Sequence, residues 1–263
     1  MKDFFTMNRI KEFADATPNV IWSKTNDAIR QFRKQPETLK QLGNCILITG
    51  ASDCVVSDGI VDKIPDNIKH WFTVNANTNH PKVSAIPLGI RQTDEAKIRA
   101  AMSNERQDEN LLYVCFTTKE GMGKELESKK FLRRFQTRSD LYLKFENKKW
   151  ATVEGGSYRV PRTHFYNKVN SHHYVLSPHG IGPDCLRHWE SIILGSIPIV
   201  FKSKGTDILD DLPCLRIDSA DEITKDFLME NLDTIKKKFN HQSMEKLWFA
   251  YWEKEIKKAI LEI

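Results

Sequence analysis

The stretch Ser177-Pro178-His179-Gly180-Ile181-Gly182-Pro183-Asp184-Cys185-Leu186-Arg187-His188-Trp189-Glu190, continuing to Leu194-Gly195-Ser196-Ile197-Pro198-Ile199-Val200, decides the fold. The apolar run Tyr174 to Leu176 just before it reads as a strand. Gly180 and Gly182 permit tight backbone turns, and the periodic segment Asp184 to Leu194 reads as a helix. The free N–H groups and positive dipole end of such a helix start favour an anion. Arg187 and Glu190 stand three apart and share one helical face. A guanidinium there can take phosphate oxygens, and a carboxylate can accept two ribose hydroxyls. Phosphate beside ribose describes a nucleotide. The same spacing also fits an ordinary strand-to-helix turn, with Asp184 as its cap and Arg187 to Glu190 as a surface pair.

Outward from this unit the chain alternates apolar runs with helical periodicity. The runs lie near Ile46, at Val83 to Ile90, Leu111 to Phe116, Ile197 to Phe201 and Cys214 to Ile217. Such alternation predicts an α/β fold of parallel sheets covered on both faces, with strand-end loops gathered along one crevice. The polar, acidic segment Gln92 to Asn110 reads as a hinge, which divides the chain into domains at residues 1–105 and 106–263. Residues 240–263 read as a Lys- and Glu-rich amphipathic helix with Leu247, Phe249, Tyr251 and Trp252 available for burial. Two positions are open for it: a cap on the second domain, or a return across the first.

The 263 residues are enough for one large or two small cores, and 40% hydrophobic with 29% charged residues excludes disorder and a membrane bundle. The net charge of +5 is spread along the chain, so Lys236 to Lys238 and Lys257 to Lys258 read as solvated faces, and no nucleic-acid motif is found. No window approaches the ~20 apolar residues of a transmembrane helix, and the start lacks a signal-peptide core. Five cysteines, an odd number with no close pair, read as reduced thiols. Together these predict a cytoplasmic protein without a transmembrane segment.

The Ser177 to Glu190 pattern with Leu194 to Val200 behind it closely resembles the donor-site segment of exostosin-like glycosyltransferases, a group with GT-B architecture. Ile46 to Asp53, Ile68 to Asn75 and Ile86 to Ile90 resemble the same group's amino-terminal half, in order. Leu111 to Phe116, Leu212 to Asp218 and Leu247 to Ile256 also fit, so the resemblance spans most of residues 40–256. It implies two Rossmann-like lobes, the N-terminal one reduced, and transfer of a sugar from a UDP-sugar to a glycan hydroxyl with inversion. Short members encoded by large algal viruses resemble the chain, and that likeness implies xylose. In this scheme Glu190 holds the ribose. Arg187 with the turn Ser177, His179, Gly180, Gly182 and Asp184 holds diphosphate and sugar, and Ile217 and Asp218 border the uracil.

Further residues are candidates by position. Asp53 follows the strand at Cys45 to Thr49 and opens into the crevice, where it can serve as general base toward the acceptor hydroxyl, or cap a helix; Asp58 is the alternative base. Thr117, Thr118 and Lys119 follow the strand Leu111 to Phe116 and can contact the diphosphate, with Gly121 and Gly123 freeing the loop to close. His172 and His173 read as surface residues ahead of their strand. No Asp-x-Asp occurs, so neither a metal nor another cofactor is expected, and cationic work falls to Arg187, Lys119 and the helix start. The Gly50 region lacks the Gly-x-Gly-x-x-Gly turn of a dinucleotide enzyme. A catalytically silent nucleotide-sugar or carbohydrate-binding protein is the alternative that stays open.

Overall fold

The computed structural model describes residues 2–106, 110–119, 126–240 and 242–262. In the first half, α1 (Met7–Asp15) leads to β1 (Val20–Lys24), α2 (Thr25–Lys34), α3 (Pro36–Lys40) and β2 (Cys45–Gly50). The elements β3 (Val56–Ser57), α4 (Asp58–Val61), β4 (Ile68–Thr73), β5 (Ala76–Asn77) and β6 (Val83–Ala85) follow. The main sheet has the order β1-β2-β4-β6, all parallel, and β3 pairs with β5 beside it. Side chains alternate between the faces of a strand. In β2, Cys45 and Leu47 pack with Ile29, Phe32 and Trp71, whereas Ile46 and Ile48 pack with Phe72 on the opposite face. A continuous apolar run therefore needs cover on both sides, the condition of a parallel sheet.

The second half contains α5 (Glu95–Met102), β7 (Asn110–Thr117), α6 (Leu126–Leu132), α7 (Arg138–Phe145), β8 (Ala151–Gly156) and α8 (Arg162–Asn170). After these come β9 (His172–Leu176), α9 (Leu186–Ile193), β10 (Ile197–Phe201), β11 (Leu215–Ile217), α10 (Lys225–Lys236) and α11 (Phe249–Ile260). Its parallel sheet has the order β11-β10-β9-β7-β8. Tyr113 and Cys115 face one core, and Leu112, Val114 and Phe116 the other. The strands expected from apolar runs are all present in this α/β arrangement.

Three local readings change. The segment read as a hinge contains α5, whose buried Ile98 and Ala101 share the core that holds Phe165 and Val169 of α8. His172 opens β9 fully buried, with Nε2 2.8 Å from Thr152 Oγ1 and Nδ1 2.7 Å from the Lys168 carbonyl. Of the two positions open to the last helix, α11 takes the one across the first sheet, where Trp252 and Ile256 join Phe5, Ile10, Ile46 and Phe72 in one core. The chain start is stitched to the same region by Phe5 N–H to Leu247 O at 2.9 Å and by stacking of Phe4 on Trp248. None of the five cysteines forms a disulfide among the described residues. No helix among the described residues is long and apolar enough to cross a membrane.

Trp252 closes the first core from the far end of the sequence and donates its indole N–H to the Lys246 carbonyl at 2.8 Å. Trp252→Ala should therefore cost about 3–5 kcal/mol of stability, the range for removing a buried aromatic side chain, measured by urea unfolding. A loss under about 1 kcal/mol would mean that α11 contributes little to the first core.

Candidate active site

Helix α9 starts one turn-position later than its sequence implies: Cys185 is the N-cap and Leu186 the first helical residue. Asp184 is not a cap. Its side chain turns inward, where Oδ2 accepts the Leu88 N–H at 2.6 Å and Oδ1 the Trp189 indole N–H at 2.8 Å. Its own N–H donates to Asn75 Oδ1 at 3.1 Å. Burial raises the Asp184 carboxyl to about 6, against the pull of His188 and the Leu88 and Trp189 donors. Gly182 faces the same asparagine, and a Cβ on it would stand 2.4 Å from Asn75 Oδ1. Gly182 is thus a point of close approach between lobes rather than a residue needing left-handed backbone, and its φ is not positive. Oδ2 of Asp184 thus ties the second lobe to the first and Oδ1 is held within its own lobe, while the residue still borders the cavity described next.

A cavity of about 350 Å³ opens where the strand ends of the second sheet meet the first lobe. Asp53, Leu88 and Arg91 border it from the first lobe; Thr117, Gly155, Gly180, Arg187 and Glu190 border it from the second. Five arginines, Arg91, Arg138, Arg159, Arg162 and Arg187, face three carboxylates, those of Asp53, Asp184 and Glu190. The balance is positive, as an anion requires. Arg187 Nε is buried and has no hydrogen-bond partner among the described residues, and its guanidinium lies 5.6 Å from the Phe116 ring centroid. A buried donor in that state is available to an acceptor brought by a ligand.

Glu190 is 1% exposed. Arg162 Nη2 and the Tyr166 hydroxyl both donate to its Oε1, the hydroxyl at 3.1 Å, and Arg162 Nε also donates to Asp94 Oδ2 at 3.2 Å. Burial raises the Glu190 carboxyl while Arg162 and Arg187 pull it down, with burial prevailing. The residue is therefore an oriented, buried carboxylate and not half of a surface pair with Arg187.

Asp53 is exposed and also borders a neighbouring cavity of about 440 Å³ with Thr6, Asn8, Gln92 and Thr93. The two cavities share Asp53, Leu88, Arg91 and Leu186, so Asp53 stands where first-lobe space opens onto the arginines. Asp58 lies elsewhere, accepting from the Thr78 hydroxyl and standing 3.6 Å from Lys204 Nζ; the Thr78 bond holds its carboxyl below the usual range.

Several predicted contacts do not form the cavity. Ser177 is fully buried, its Oγ 2.7 Å from His188 Nδ1. His179 packs its ring among Phe131, Phe135 and Phe201, and burial together with Arg138 and His188 lowers it to about 4. Of that residue only the carbonyl serves the site, accepting from Arg138 Nη2 at 3.1 Å. Thr118 Oγ1 donates to the Gly156 carbonyl at 3.3 Å, and Lys119 is exposed away from the lining. Gly121 and Gly123 fall outside the described residues. Ile217 is core, and Asp218 pairs with Lys202 at 2.6 Å, so neither borders the cavity.

The sequence reading missed Tyr158 and four of the five arginines. The signal for Tyr158 and Arg159 was the pair Gly155-Gly156, both with positive φ, which turns the chain after β8 and sends the next residues over the cavity. Cys185 was also missed. It borders the cavity with His188 Nδ1 3.4 Å from its sulfur. Burial raises this thiol, but His188 and Arg187 outweigh it and bring it down to about 6, while the same contact holds His188 above its ordinary value.

No protein-family model matches the sequence, and no curated protein matches it significantly. Solved structures do match in fold. A UDP-forming α,α-trehalose-phosphate synthase from Burkholderia xenovorans superposes with a TM-score of 0.51 at 8% identity, over 96% of this chain and 75% of that one. A sucrose-phosphate synthase from Thermosynechococcus elongatus gives a TM-score of 0.51 at 11% identity, over 97% of this chain and 76% of that one. The chain has the GT-B fold, with two Rossmann-like lobes and the cavity between them.

The Asp184 contacts generate a pH signature. Its carboxyl rises from an ordinary 3.8 to about 6 in the folded chain, so the folded state holds the proton more tightly than the unfolded state. The stability this adds is complete below the unfolded value and is lost as pH rises through about 6. The stability of the wild type minus that of Asp184→Asn should therefore fall by on the order of 2 kcal/mol between pH 4 and 6, followed by denaturant titration. A difference that is flat over this window would show that Asp184 is not a desolvated carboxyl.

Proposed function

We propose that the chain is an exostosin-like glycosyltransferase that moves a sugar from a UDP-sugar to a glycan hydroxyl, with inversion and without a metal. The observation that carries this reading is the arginine-lined cavity between two parallel-sheet lobes, with buried Glu190 and the unpartnered Arg187 Nε on one helix after β9. In open α/β sheets ligands bind at strand carboxyl ends, and phosphate favours the start of a helix there. One of the fold neighbours is named for forming UDP, which supports UDP as the leaving group. Residues 106–263, with α5 packed against them, act as the donor side and the residues before α5 as the acceptor side, with α11 completing the first core.

Each role follows from placement. Glu190, fixed through Oε1 by Arg162 and Tyr166, takes ribose hydroxyls on its second oxygen. Arg187 takes the diphosphate, helped by Arg159 from the turn after β8 and Arg91 from the first lobe. Tyr158, 56% exposed at the cavity edge, stacks on the uracil in place of the Ile217 to Asp218 strand end. Asp53 takes the proton of the acceptor hydroxyl while that oxygen bonds to the sugar's anomeric carbon and UDP leaves from the opposite side. The charge that builds on the departing diphosphate meets preorganised guanidinium groups, which supports a mechanism without a divalent cation. Xylose is the sugar we assign, and the cytoplasm the compartment, both on sequence resemblance and composition.

Arg187→Lys should weaken UDP binding by about tenfold or more in calorimetry, because an ammonium cannot reproduce a bidentate guanidinium contact. Asp53→Asn should keep UDP affinity and lose transfer by roughly 10²–10⁴-fold, the usual contribution of a general base. A fully active Asp53→Asn enzyme would refute that assignment. UDP-sugar bound with neither transfer nor slow hydrolysis would instead identify a silent binding module.

Chelation tests the cationic site separately. Activity on a panel of UDP-sugars should survive EDTA, with UDP-xylose the preferred donor. Loss on chelation that Mn²⁺ restores would overturn the metal-free mechanism.

A further inference from the structure

A second cavity of about 400 Å³ lies between the lobes and shares no lining residue with the arginine cavity. Asp58 and Asn77 border it from the first lobe, Lys130 and Arg134 from α6 and the turn after it, and Lys202 and Lys204 from the end of β10. Four cations thus face a single carboxylate. Lys202 pairs with Asp218 at 2.6 Å, and Lys204 stands 3.6 Å from Asp58. The Arg134 guanidinium has no hydrogen bond or ion pair among the described residues, and Phe131 and Phe135 form an apolar wall beside it. Solvated lysine runs sit on one helix face. These cations come from separate segments and converge on a concave, partly apolar space, where low-dielectric walls strengthen the field on a bound anion.

The second cavity is tied to the first. Ser128 of α6 donates its hydroxyl to the Asp53 carbonyl at 3.3 Å and accepts the Val55 N–H at 3.4 Å. Asp53 borders the arginine cavity and Val55 the second one, so two residues of chain, on the order of 7 Å, separate the walls. That is a short reach for an oligosaccharide. Asp58, hydrogen-bonded to Thr78 and beside Lys204, positions a lysine here and does not face the arginines.

We propose that this cavity binds an anionic group carried by the acceptor, a carboxylate, phosphate or sulfate on a sugar near the one that receives the transfer. The assignment rests on the reading of the chain as a glycosyltransferase for its purpose, but the anion site itself stands on the cavity. Anionic acceptors are held by their charge beside Asp53, and neutral ones are not.

Calorimetry on the full chain tests the site without requiring turnover. The probes are one neutral disaccharide and matched disaccharides bearing a uronic acid, a phosphate or a sulfate. The charged forms should bind about tenfold or more tightly than the neutral one at low salt, with the advantage shrinking as salt screens the cations. The strongest of the three identifies the group. Arg134→Gln combined with Lys202→Gln should remove that advantage and leave UDP affinity unchanged. Equal binding of neutral and charged disaccharides, or a preference that survives both substitutions, would overturn the proposal. Failure of the transferase reading would show separately, as absence of UDP binding with the charge preference intact.

Discussion

The Asp184 carboxylate fixes how the two lobes meet, because its two oxygens are divided between the Leu88 N–H of the first lobe and the Trp189 indole of the second. Burying this group costs free energy, seen in the carboxyl raised to about 6, and unpairing either donor would add to the cost. The contact is therefore specific: few relative positions of the lobes satisfy both donors and still bring Asn75 to the Asp184 N–H. The first sheet accepts backbone strain beside this interface. Ala51 and Asn75 both have positive φ, at the ends of β2 and β4, and for an alanine that conformation costs about 1 kcal/mol. Asp53, Leu88 and Arg91 border the cavity in positions set by that joint.

How far the sequence revealed the fold depended on how continuous an apolar run each strand makes. Interior strands β2, β7, β9 and β10 are buried on both faces and read as apolar runs, so their presence and parallel pairing could be inferred. Of the edge strands, β6 and β11 were read from the runs at Val83 to Ile90 and Cys214 to Ile217, whereas β1 and β8 were not. Their side chains are mostly half-buried, and Ala151-Thr152-Val153-Glu154-Gly155-Gly156 mixes polar residues and glycines that neither alternate nor run together. The return of α11 across the first lobe depends on contacts between residues some 200 positions apart in the chain, which no local pattern encodes.

The site divides in the same way. The motif around α9 placed Arg187 and Glu190 in one cavity, since three residues of helix bring them to one face. Its small and polar positions have other causes. Gly182 yields space to Asn75, Asp184 joins lobes, and Ser177 is sealed against His188. All three look like ligand-binding choices in sequence because a tight turn, an inter-lobe contact and a phosphate loop use the same residue types. Arg91, Arg138, Arg159 and Arg162 arrive from separate segments, so their convergence follows only from the topology.

Within that cluster the arginines do different work. Arg162 links Asp94, Tyr166 and Glu190, which sit ahead of α5, on α8 and on α9, and its charge is already committed to the chain's own carboxylates. Arg187 has a buried nitrogen with no such commitment. The first arrangement sets the direction of a carboxylate before any ligand arrives; the second leaves a desolvated donor for the ligand to satisfy. Ordering Glu190 and exposing Arg187 to the cavity are both achieved in folding, so an anionic ligand that fits them loses little further free energy to reorganisation of the protein. Preorganisation of this kind needs the three helices held rigidly against one another, and the core shared by Ile98, Phe165, Trp189 and Ile192 supplies that packing beneath the polar chain.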